Sequence, residues 1–173
     1  IGVIPGASPA ESPHNVKATP DGKYWLVIFL NADVVQVFST ETDQLVKTIP
    51  IGGGTSGGWN TMAISSDSKK AYVIDYNNGR VAFVDIDAGT SFTSNTFPLT
   101  GNPVPNLHGV AINQSQDTLY VTAELTNRIV KIPINDLQAY DDVNLNPLGN
   151  PFYISQTMNP HEIIFSPDYS KYF

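Results

Sequence analysis

There is no cysteine in the 173 residues, which removes disulfide frameworks, zinc–thiolate sites and thiol nucleophiles from consideration. Long apolar runs are missing as well. The longest, Trp25-Leu26-Val27-Ile28-Phe29-Leu30, falls far short of the roughly 18 residues a helix needs to cross a bilayer, so no membrane span is expected. Positive charge is scarce: 9 basic against 16 acidic residues give a net charge of −7, and neither sign forms a run. A phosphate-tracking surface needs clustered Lys and Arg to displace counterions, so nucleic acid is not an expected partner. Ile1 opens the chain with neither a methionine nor a charged-then-apolar leader; any targeting segment is expected to be removed or to lie outside this chain.

Turn-forming residues are plentiful, with 13 Gly and 13 Pro among many Asn, Asp, Ser and Thr, and they punctuate a repeat. "HNVKATPDGKYWLV" from His14, "NTMAISSDSKKAYV" from Asn60, "HGVAINQSQDTLYV" from His108 and "HEIIFSPDYSKYF" from His161 align without gaps. Position eight is Asp21, Asp67, Ser115 and Asp168, a turn former whose side chain can bond the backbone two residues on. Position fourteen is Val27, Val73 and Val121, and eight residues later come Val35, Val81 and Ile129. The polar links between them, "LNAD", "NNGR" and "LTNR", carry the residues that tight hairpins require. Each copy reads as strand, turn, strand, hairpin, strand. A fourth strand follows in the first copy at Leu45 to Ile51, with less regular counterparts expected around "NTFPL" and "PFYIS". "INDLQAY" could form one helical turn capped by Asn135.

Starts near 14, 60, 108 and 161 give spacings close to the roughly 40 to 50 residues of a four-stranded propeller blade, and too long for the common helical repeats. One twisted sheet cannot cover both its faces, whereas sheets stacked radially cover each other. Inner strands should then be apolar throughout, as "YWLVIF" and "AYVI" are. The fold class expected is all-β: a partial β-propeller of about three complete four-stranded antiparallel blades, with partial blades at both ends. Residues 1–173 are read as a segment of one domain. Propellers close with about four to eight blades, so the missing blades are expected from the rest of a longer chain or by self-association.

"LYVTAE" at 119 to 124 and "AYVIDY" at 71 to 76, with their "PDG"-like turns and the "TIPIGG" closing strand, resemble the YVTN-type β-propeller repeat over nearly the whole chain. The Tyr-Val-Thr-Asn of that family stands here as Tyr120-Val121-Thr122-Ala123. The resemblance implies a periplasmic, secreted or surface-layer location. It implies little about activity, because such propellers host many functions.

His14, His108 and His161 are all the histidines of the chain, and each occupies position one of a copy; Asn60 takes that place in the other. Position one precedes the innermost strand, so these side chains should surround one mouth of the central channel. The architectural explanation comes first, since a repeated residue is repeated because the fold is, and an imidazole can bond the backbone of a neighbouring blade. The chemical alternative is a metal site: neutral imidazoles at His14, His108 and His161 suit copper, zinc or iron. Trp59, just before position one, is a candidate stacking surface for a sugar or aromatic ligand, weighed against plain packing. Glu124 and Glu162 are candidate general bases without an identifiable partner.

Other signals are weak. "IGGGTSGGWN" lacks the Lys-Ser/Thr ending of a phosphate loop and reads as a connection into the second blade. "DYNNGR" and "AYDDVN" do not follow calcium-loop spacing, and no Gly-X-Ser-X-Gly elbow is present. The function expected is therefore an extracytoplasmic scaffold that binds a protein or a small molecule. The alternative is a propeller enzyme, either metal-dependent with channel-mouth histidines and redox or hydrolytic chemistry, or lactonase-like.

Overall fold

The computed structural model describes residues 12–52, 57–95, 106–126, 128–136, 141–144 and 159–173. Three antiparallel four-stranded sheets follow one another along the chain. The first comprises β1 (Pro13–Ala18), β2 (Tyr24–Phe29), β3 (Val34–Ser39) and β4 (Leu45–Pro50). The second comprises β5 (Trp59–Ile64), β6 (Lys70–Asp75), β7 (Arg80–Asp85) and β8 (Thr90–Thr93). The third comprises β9 (Leu107–Ile112), β10 (Thr118–Ala123), β11 (Arg128–Pro133) and β12 (Asp141–Asn144). In each sheet the strands lie in chain order. Successive sheets meet chiefly through their first strands, β1 against β5 and β5 against β9. This is the propeller arrangement, with one repeat copy per blade. The fourth copy forms a hairpin closed by the bridge between Phe165 and Tyr172.

The turn between the first two strands of each copy is one design used four times. Position nine has positive φ in every copy: Gly22 at 71°, Ser68 at 66°, Gln116 at 60° and Tyr169 at 56°. Its amide donates to the carbonyl of position six, from Gly22 to Thr19, Ser68 to Ser65, Gln116 to Asn113 and Tyr169 to Ser166. The side-chain oxygen of position six accepts the amide of position eleven in all four, at 3.0 to 3.1 Å. Only the first copy uses glycine, although the left-handed region is strained for other residues. The strain has a use. Ser68 Oγ accepts the Asp21 amide at 2.9 Å, and Gln116 Oε1 accepts the Ser66 amide at 2.8 Å, so position nine ties each of these blades to the one before.

In three copies the hydroxyl at position six also donates to the carboxylate at position eight: Thr19 to Asp21, Ser65 to Asp67 and Ser166 to Asp168. That bond, with a backbone amide two residues on, holds all three carboxyls below their ordinary pKa, Asp168 down to about 2. A depressed folded-state pKa gives stability that is present above the unfolded value and lost as pH falls through the folded one. The melting temperature is therefore expected to drop as pH falls from about 4 to about 2. The triple variant Asp21→Asn, Asp67→Asn, Asp168→Asn should lose less over that window. An equal drop in a melting series would contradict the assignment.

Burial follows the strand period of two. On β6, Ala71 and Val73 pack with Leu26, Val35 and Ile49 of the first sheet, while Tyr72 and Ile74 pack with Leu119, Val121 and Val130 of the third. The second sheet is thus covered on both faces, which is why "AYVI" carries no polar alternation. Each large side chain so buried contributes about 1.5–3 kcal/mol. Position fourteen faces backward each time: Val73 toward the first sheet, Val121 toward the second, and Val27 into a cluster with Phe29 and Phe38 on the far side of the first.

The fourth strands differ from the expectation. β8 is "TSFT" and β12 is "DDVN", both nearer to the third strand than "NTFPL" and "PFYIS". The turn at 86–89 explains the second sheet: Gly89 has φ 69° and its amide bonds the Asp85 carbonyl, so the chain reverses within four residues. "PFYIS" and residues 96–99 of "NTFPL" lie outside the described residues. Of "INDLQAY", residues 134–136 form a turn and 137–140 lie outside the described residues; no α-helix occurs among the described residues.

Candidate functional site at the channel mouth

Position one is where the ladder between the first two strands breaks. Pro13 pairs with Phe29 and Asn15 with Ile28, leaving His14 without a partner; Trp59 pairs with Asp75 and Thr61 with Ile74, leaving Asn60 out. In the third sheet the register shifts across His108, between Leu107, which pairs with Ala123, and Val110, which pairs with Val121. A bulge inserts an extra residue and re-aims its side chain, and such bulges concentrate beside binding sites. Here it recurs at one position of three blades.

The result is a cavity of about 370 Å³ at the ends of these strands. His14, Asn60 and His108 line it, with Asn31, Tyr76 and Glu124 from the ends of the second strands and just beyond. His14 is exposed, whereas Asn60 and His108 are buried. Asn60 Oδ1 and His108 Nδ1 have no hydrogen-bond partner within the protein; buried polar atoms of this kind are rare in folded proteins. Burial, followed by a hydrogen bond to the Glu124 carboxylate, pushes the Tyr76 pKa up. A larger cavity of about 550 Å³ lies at the opposite ends of the first strands, among Ala63, Ile64, Val110, Ile112 and Ile163.

His161 stacks on His108, ring centroids 3.5 Å apart at a tilt of 39°. The backbone makes this possible. Gly109 lies so close to the fourth copy that a Cβ there would stand 2.6 Å from the His161 carbonyl oxygen and 2.7 Å from Glu162 Cα. Thr122 Oγ1 accepts the Gly109 amide at 2.7 Å and donates to the His161 carbonyl at 2.9 Å. In the neighbouring blade the Thr61 hydroxyl donates to the His108 carbonyl. At His108 and His161 a threonine hydroxyl of the preceding blade thus holds the carbonyl of position one, leaving the imidazole free of that task. Desolvation and the neighbouring His161 imidazole push the His108 pKa down, against the opposing pull of Glu162 and Glu124.

The expected ring of ligands is thereby partly redrawn. Among the described residues, the group whose donor atoms come within 4.8 Å of one another is His108, His161 and Glu162; His14 borders the same cavity but is not in that group. Trp59 has no exposed surface. Its indole N–H donates to Asp33 Oδ1 at 2.8 Å, and the Arg80 guanidinium covers the ring 5.5 Å from its centroid. It packs between blades, and the stacking role does not apply.

"DYNNGR" holds what the spacing arguments passed over. Asp75 is fully buried and Arg80 nearly so; Arg80 Nε and Nη2 both bond Asp75 Oδ2, and Nη1 bonds the Gly52 carbonyl. Asp75 Oδ1 also accepts the amides of Gly58 and Asn78. One ion pair therefore fixes the hairpin, the described flanks of the glycine-rich connection and Gly58 on the cavity wall. The available signal was the hairpin itself, whose register sets Asp75 opposite Arg80.

No protein-family model matches the sequence, and no curated protein does. Solved structures match at the level of the fold. Hydrazine synthase of Kuenenia stuttgartiensis aligns with 96% of this chain and 43% of its own, at 17% identity and TM-score 0.72. Virginiamycin B lyase from Staphylococcus aureus aligns with 90% of this chain and 46% of its own, at 13% identity and TM-score 0.69. The WD40 repeats of RRP9 align with 82% of this chain and 41% of their own, at 19% identity and TM-score 0.65. The chain spans less than half the length of each. At such identities the likeness establishes the propeller fold and nothing finer; enzymes and repeat modules both share it.

Proposed function

We propose that this chain belongs to an extracytoplasmic β-propeller of the YVTN type, which acts as a binding scaffold and takes a small polar ligand at the channel mouth. The observation that supports this most is a buried, unpartnered acceptor, Asn60 Oδ1, on a residue lining a cavity of about 370 Å³. Ligand sites combine such a volume with a few convergent polar groups, and a ligand offering a donor would satisfy the Asn60 oxygen. The three blades are read as part of one ring completed by further blades. Val27, Phe29 and Phe38 on the far face of the first sheet occupy the place that an inter-blade core occupies elsewhere, while Val16 at 61% and Ile164 at 64% exposure leave apolar surface at the two ends.

Equilibrium dialysis against mixed sugars, amino acids, nucleosides and carboxylic acids, read by native mass spectrometry, tests the reading. One class should be retained at one molecule per chain, and Asn60→Leu should lose it by about tenfold or more, the consequence of a lost hydrogen bond of ~1.5 kcal/mol. Retention of nothing, or undiminished retention by Asn60→Leu, would contradict it. Fractionation of the source cells should place the protein outside the cytoplasm.

A second reading, a metal-dependent propeller enzyme, draws on the His108, His161 and Glu162 group alone.

A further inference from the structure

We propose that His108, His161 and Glu162 form a binding site for one divalent first-row transition metal, at the seam between the third blade and the fourth repeat copy. The site does not depend on the scaffold reading and needs no small-molecule ligand.

Three observations carry it. The first is geometric. Glu162 Oε1 lies 3.7 Å from Nδ1 of His108 and 3.7 Å from Nδ1 of His161, one carboxylate oxygen equally distant from two imidazole nitrogens. These separations are too long for hydrogen bonds. A tetrahedral ion with bonds of about 2.0–2.1 Å needs donors about 3.3–3.4 Å apart, so the carboxylate oxygen lies a few tenths of an ångström from ligating distance to each imidazole, and the exposed His161 ring swings out of its stack on His108 to bring both nitrogens onto one ion. The second is the orphaned atom: His108 is nine-tenths buried and its Nδ1 has no partner, though it comes within reach of the other two donors. The third is the rigidity of two of the three ligands. His108 and His161 are held by their backbones, through Thr61 on the His108 carbonyl, Thr122 on the His161 carbonyl, and the close approach of Gly109 to residues 161–163. A site whose supporting atoms are already fixed loses little freedom on binding.

The donor types narrow the ion. Two imidazoles and one carboxylate suit zinc, copper or iron(II) and disfavour magnesium or calcium, which take oxygen ligands. Three protein ligands leave an open position, and the cavity lined by His108 adjoins it. His14 lies outside the set, so the ligand group differs from a ring of three histidines. The competing account is a proton shared between the stacked imidazoles and balanced by Glu162.

Titration of the metal-free protein with Co²⁺ and Zn²⁺, by absorption spectroscopy and calorimetry at neutral pH, separates the two. The site predicts one Co²⁺ per chain with visible d–d bands of a four- or five-coordinate ion, displaced by Zn²⁺. Losing an outer partner of a ligand costs about 10–100-fold in affinity; His161→Ala, which removes a ligand itself, should cost at least about 100-fold, and Glu162→Gln at least about tenfold. Both side chains are 61% exposed, so these variants should keep the parent melting curve without metal. His14→Ala should bind as the parent does. Failure of the parent to bind Co²⁺ or Zn²⁺ more tightly than about 1 mM, undiminished binding by the doubly substituted His161→Ala, Glu162→Ala protein, or loss of binding in His14→Ala would each overturn the proposal. Small-molecule retention in the dialysis experiment is read separately, on Asn60→Leu.

Discussion

Arg80→Met should cost about 3–5 kcal/mol of folding stability, because it leaves the Asp75 carboxylate buried without its counter-charge. Asp75 has no exposed surface, so water cannot replace the guanidinium. The loss should spread beyond one hairpin, since Arg80 also holds the Gly52 carbonyl and covers the Trp59 ring, and Trp59 is a centre of the core between the first two sheets. Replacing both partners, Asp75→Leu with Arg80→Met, should recover part of the stability by removing the stranded charge. Recovery should stay incomplete, because the Gly58 and Asn78 amides then lose their acceptor. Urea unfolding of the two variants beside the parent measures both terms. A cost below about 1 kcal/mol for Arg80→Met, the scale of an exposed pair, would show that this part of the sheet does not close as described.

Gly109→Ala should detach the fourth copy from the third blade while leaving the first two sheets intact. The clash is with backbone atoms, the His161 carbonyl oxygen at 2.6 Å, Glu162 Cα at 2.7 Å and Ile163 N at 2.9 Å, so no side-chain rotation relieves it. Overpacking in a tight interior costs about 1–3 kcal/mol, and here the backbones must part by most of a methyl radius. The stacked imidazoles and Glu162 should separate with them, and Co²⁺ affinity should fall by about 100-fold or more. Amide hydrogen exchange should show protection lost at Ile164, whose amide bonds the Phe173 carbonyl in the fourth copy, and retained in β2 and β6. Unchanged exchange and unchanged metal affinity would contradict the seam.

How much of this was legible in the sequence depends on what carries each feature. The blades were readable because burial on both faces leaves a local trace: Ala71 to Ile74 face two different cores in alternation, and the chain records that as unbroken apolarity. The turns were readable from Asp at position eight, although its partner at position six, the hydroxyl of Thr19, Ser65 or Ser166, went unremarked. The convergence of His14, Asn60 and His108 on one mouth followed from repeat position alone. The bulges did not, since a one-residue offset between strands is decided by pairing and leaves no residue type behind. Glu162 was missed as a partner for a related reason: it pairs with His108 across 54 positions only because Gly109 lets two backbones meet. Of the two readings of Trp59 the structure selects packing: its neighbour Asn60 lines the cavity, while alternation along β5 sends Trp59 into the core.

The chain's three histidines allow the central claim, that position one of successive copies converges at a shared mouth, to be read from imidazole signals alone. Long-range ¹H–¹⁵N correlation spectra of histidine-labelled protein, recorded for the parent, His14→Ala and His161→Ala, resolve three rings. Removing His161 should shift the His108 ring protons strongly, as expected for rings 3.5 Å apart, and should leave His14 nearly unmoved. A His108 signal indifferent to the loss of His161 would mean that the third and fourth copies do not stack, and the convergence of position one across successive copies would fail there.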